Sequence, residues 1–168
     1  MEDTNSFLGF TLAELLAVII ILSILTGLGV GYYKRSVEQS RFSEGLAAAS
    51  AVVEALNRTY FDEQLEGNQL ADDQVHSFKT LDVVVGGGSG DNYQNTKHFD
   101  VYIEENDGQE VVRAYRGGKD GLYYIQMYPN YAAGTKQDQI SCVGNGEDGV
   151  AFCQAMGYVN CSTDGCTK

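Results

Sequence analysis

The chain has 168 residues, 43% of them hydrophobic, and carries 23 acidic against 11 basic side chains, for a formal charge of −12. That length fits one domain plus an appendage, the hydrophobic share is too high for a disordered chain, and the acidic surplus lacks the basic face that displaces counterions from bulk nucleic acid. Four cysteines, Cys142, Cys153, Cys161 and Cys166, follow a C-x10-C-x7-C-x4-C pattern without the paired C-x-x-C spacing usual for zinc, which points to disulfides in an oxidising compartment.

From Leu15 to Tyr33 no residue is charged. As a helix, at about 1.5 Å per residue, this stretch spans roughly 28 Å, close to the thickness of a bilayer core. Eleven strongly apolar side chains between Leu15 and Val30 favour insertion by roughly 3 to 7 kcal/mol before polar and glycine residues are set against them. The opening Met1-Glu2-Asp3-Thr4-Asn5 has no basic residue, and the apolar run is long for a secretory signal peptide. Glu14 stands at the edge of the run. A carboxylate driven to the bilayer centre costs about 2.5 to 3.5 kcal/mol. The nearest cations, Lys34 and Arg35, would be about 30 Å away along a helix, so the expected partner of Glu14 is on another molecule.

The run Gly9-Phe10-Thr11-Leu12-Ala13-Glu14-Leu15-Leu16 resembles the class III signal of type IV prepilins and pseudopilins. The resemblance implies a leader, residues 1–9, removed by a prepilin peptidase between Gly9 and Phe10. Phe10 would become the N-methylated first residue. Glu14 would meet the amino terminus of a neighbouring subunit during assembly, since a buried carboxylate and a buried ammonium lower each other's burial penalty only when paired. Residues 10–33 would form a transmembrane and later filament-core helix. Where many pilins carry a helix-kinking proline, this chain has Gly27, Gly29 and Gly31. Each weakens a helix by roughly 1 kcal/mol relative to alanine, so the segment is expected to flex or extend on assembly; close helix packing by small residues is the compatible alternative. Lys34, Arg35 and Arg41 follow the span, which the positive-inside rule would keep in the cytoplasm. The cysteines and the motif favour a periplasmic head instead.

Beyond Tyr33, Leu46, Ala49, Val53, Leu56 and Tyr60 recur at steps of three and four, one apolar stripe that predicts an amphipathic helix over 34–61 facing a core. Glu54 and Arg58 can pair along its outer side. Residues 62–98 read as a polar, glycine-rich connection. Gly86-Gly87-Gly88-Ser89-Gly90 lacks the lysine of a phosphate loop and no helical pattern follows it. Alternation then predicts an antiparallel sheet over 99–128: a strand from Phe99, a hairpin signal at Asn106-Asp107-Gly108, a strand over 110–116, a turn at 117–121 and a strand over 122–128.

The region 129–168 holds the cysteines. A short helix is expected near Glu147–Met156, placing Cys153 beside a strand-borne Cys142. Proximity favours Cys142–Cys153 and Cys161–Cys166, with two other pairings open. The fold class is therefore α+β, and the order of helix, connection and meander sheet is also that of the pilin fold. His76 and His98, the only histidines, lack metal-ligand spacing; His98 is expected at the surface. No catalytic constellation and no cofactor or metal site is expected. The function implied is a structural subunit of a type IV pilus for adhesion, motility or DNA uptake. Its partners would be copies of itself, the prepilin peptidase, the inner-membrane assembly machinery and membrane lipid. It would pass from the inner membrane to an extracellular filament. The alternatives are a pseudopilin of a type II secretion system and a membrane-anchored binding module that never polymerises.

Overall fold

The computed structural model describes residues 11–67, 76–132, 136–162 and 165–167. A helix, α1, runs from Leu12 to Glu66, beyond the expected end at Phe61. It contributes to two compact units, one up to Ser40 and one from Arg41 to Lys168. The expected division of the chain fell earlier, after Tyr33. In the first unit α1 carries no charged residue from Leu15 to Tyr33, and its large apolar side chains there are exposed. From Phe42 onward it buries only one stripe: Phe42, Gly45, Ala48, Ala49, Val52, Val53, Ala55 and Leu56.

The rest of the second unit is an eight-stranded antiparallel sheet ordered β1-β2-β3-β4-β5-β6-β8-β7. Its centre is the expected meander: β3 (Phe99–Asn106), β4 (Gln109–Arg116) and β5 (Tyr123–Met127). Asp107 and Gly108 both take positive φ, 54° and 72°, the two-residue turn that matches strand twist. Phe99, Val101 and Ile103 point into the core, as their alternation requires.

The sheet is wider than residues 99–128. The glycine run forms β1 (Gly87–Ser89), paired with β2 (Tyr93–Asn95) on the edge of β3. A Cβ on Gly86 would stand 1.9 Å from the Asn95 carbonyl oxygen; glycine is there for close backbone approach. On the other side β6 (Ile140–Gly144) pairs with β5, and α2 (Gly146–Ala155) follows it closely. The hairpin of β7 (Asn160–Ser162) and β8 (Gly165–Thr167) then returns with β8 against β6.

The core of the second unit joins the α1 stripe to the inner sheet face and α2. Phe42 is its hub, with ring centroids 5.7 Å from Tyr123, 5.9 Å from Phe152 and 5.8 Å from Tyr158. Tyr123 stacks on Phe152 at 4.6 Å. Aromatic pairs in these arrangements add about 0.5 to 1.5 kcal/mol beyond burial alone. Gly45 makes room for the Phe99 ring, which would lie 2.6 Å from a Cβ at that position.

Candidate functional site

The helix start is a reciprocal cap. The Thr11 backbone N–H and the Thr11 hydroxyl each donate to Glu14 Oε2 at 2.8 Å, and the Glu14 N–H donates to Thr11 Oγ1 at 3.3 Å. This is the S/T-x-x-E capping box, in which two otherwise unpaired backbone donors are satisfied and the negative side chain sits in the first turn of the helix. The cap gives Glu14 a hydrogen-bond partner in its own chain, the neutral Thr11, and no cation. The signal was present in Thr11-Leu12-Ala13-Glu14. Gly9 and Phe10, the expected cleavage and methylation positions, lie outside the described residues.

Past the cap, the helix surface is bare. Every large apolar side chain from Leu12 to Val30 is between 49% and 90% exposed. Among the described residues α1 is the helix long and apolar enough to cross a membrane. Its few polar side chains are arranged for an apolar surrounding. Ser23 Oγ donates to the Ile19 carbonyl and Thr26 Oγ1 to the Leu22 carbonyl, both at 2.7 Å, so neither hydroxyl needs water. Gly27, Gly29 and Gly31 lie within unbroken α-helix, and a Cβ at any of them would meet nothing within 4 Å. With Leu22, Leu25, Thr26, Val30 and Tyr33, Gly29 lines a shallow apolar groove.

In the second unit, Cys142 on β6 and Cys153 on α2 form a disulfide with Cα atoms 5.6 Å apart. Cys166 is also disulfide-bonded, and the β7–β8 register sets its backbone opposite Cys161.

Several charged side chains are more tightly held than the sequence reading placed them. His98 is half-buried, its Nδ1 2.9 Å from Glu44 Oε2. Glu104 accepts from Arg113 and the Tyr115 hydroxyl at 2.9 Å and from Lys119 at 2.5 Å. Burial pushes the Glu104 carboxyl up, but these donors outweigh it and the net shift is downward. His76 is buried against Glu63 and Glu110. No sequence signal marked these groups, because their members meet only once the strands and α1 are packed together. Among the described residues no group of three or more His, Cys, Asp or Glu is arranged to hold a metal ion.

No protein-family model, curated protein or solved structure matches this chain.

Proposed function

We propose that the chain is a structural subunit of a type IV pilus, held in the inner membrane by residues 10–33 before assembly into an extracellular filament with copies of itself. One observation carries this reading: an apolar helix, bare on all sides, is headed by a carboxylate beside the Gly9-Phe10 signal. Exposed apolar surface on this scale marks a surface made for lipid or for another chain. A pilin uses it for both in turn. The lipid-facing helix becomes the filament core, and Glu14 exchanges local donors for the amino terminus of a neighbour. The Cys142–Cys153 bridge supports the pilin over the secretion pseudopilin, the second reading.

Mass spectrometry of the protein from its native membrane tests the proposal. A mature chain beginning at N-methyl-Phe10 is expected. An intact Met1 in the membrane-held protein would overturn the reading and favour a permanent anchor.

A further inference from the structure

His76 is 4% exposed, and both of its ring nitrogens face carboxylates. Nδ1 lies 2.7 Å from Glu110 Oε2 at the start of β4, and Nε2 lies 3.1 Å from Glu63 Oε2 in the last turns of α1. The His76 backbone N–H donates to the other Glu110 oxygen, Oε1. Tyr131, after β5, donates its hydroxyl to Glu110 Oε2 at 2.5 Å and stacks on Tyr60 of α1 at 4.1 Å. Among the described residues, these are the titratable groups that α1, β4 and the turn after β5 present to the ring.

Only an imidazolium can donate from both nitrogens. A neutral ring has one N–H, so one lone pair would face a carboxylate oxygen across about 3 Å in a buried site. The two arms are unequal. Glu110 is 11% exposed and held by Tyr131 and the His76 backbone, whereas Glu63 is 24% exposed. Loss of the proton therefore leaves Nδ1–H on Glu110 and releases Glu63 to water.

We propose that His76 is a protonation-dependent clasp that fastens the C-terminal end of α1 to the start of β4 and, on deprotonation, lets go of the Glu63 arm alone. The device is independent of the assembly reading. Burial pulls the His76 pKa down, but the hydrogen bonds and charges of Glu110 and Glu63 outweigh it, and the net shift is upward. The sign follows from that. The clasp is fully closed below the lower value of the open state, in which Glu63 no longer faces the ring, and is lost as pH rises through the raised closed-state value. Between those two values the closed-to-open ratio falls about tenfold per pH unit, and then levels.

The test is hydrogen exchange with ring-labelled histidine NMR on the full chain in detergent micelles. Protection factors over residues 62–66 should fall through that window while the His76 amide, bonded to Glu110, stays protected. Glu63→Gln should remove the fall without opening the end of α1, because a glutamine can accept from an imidazolium or donate to a neutral ring. Glu63→Ala should leave residues 62–66 poorly protected at every pH. A His76 ring titrating at or below its ordinary value would overturn the proposal. So would an unchanged alkaline fall in Glu63→Gln, or joint loss of protection at His76 and residues 62–66.

Discussion

Glu14 caps the helix start and, under the proposed function, also supplies an assembly charge, two roles that one substitution would confound. Glu14→Gln preserves the S/T-x-x-E/Q cap and removes only the charge. It should insert normally and be nearly absent from filaments. Thr11→Ala removes the cap and keeps the charge, weakening the helix start by about 1 kcal/mol, with filament yield falling by less. Quantifying membrane-held and sheared filament protein for both variants separates the roles; equal yields from Glu14→Gln and the wild type would remove Glu14 from assembly. The cap was legible at this scale, since Thr11 and Glu14 are three apart. His76, Glu63 and Glu110 were not. Neither their spacing nor their residue types distinguish them from solvated charges until the fold places them together.

At the scale of elements, α1 carries two patterns on one helix. The uncharged run and the later stripe were both visible, because a helix repeats every 3.6 residues and apolar side chains record which sides meet apolar surroundings. The stripe is broader than Leu46, Ala49, Val53, Leu56 and Tyr60: small residues such as Gly45, Ala48 and Ala55 share the buried side. Alanine and glycine give weak periodic signals, and Gly45 reads in sequence only as a weak helix former. Its role is the close approach of Phe99. Gly45→Leu should therefore destabilise the head by about 1 to 3 kcal/mol through overpacking, despite leucine's better helix propensity. Thermal or urea melting checks this, and an unchanged or raised stability would refute the close contact. The β1, β2, β7 and β8 strands escaped sequence reading for a related reason. Three-residue strands are too short for alternation to register, and they are ordered by the strands they pair with.

For the molecule as a whole, the Cys142–Cys153 bridge ties α2 to the sheet across a sequence separation of 11. Closing a loop of this size stabilises by about 2 to 3 kcal/mol. Replacing both cysteines with alanine should lower Tm by roughly 10 °C, read by scanning calorimetry against the wild type; a shift near zero would make the bridge incidental to stability. The amino-acid order alone determined the α+β class, the apolar helix and the central hairpins, and it favoured the Cys142–Cys153 pairing that the structure then fixed. These depend on local periodicity, turn chemistry and short chain separations, which are properties of neighbouring residues. Tertiary structure alone decided the width of the sheet, the fit of Phe99 over Gly45, and the enclosure of His76 between Glu63 and Glu110. Each depends on distant segments meeting, and on burial turning ordinary polar side chains into groups that must find partners.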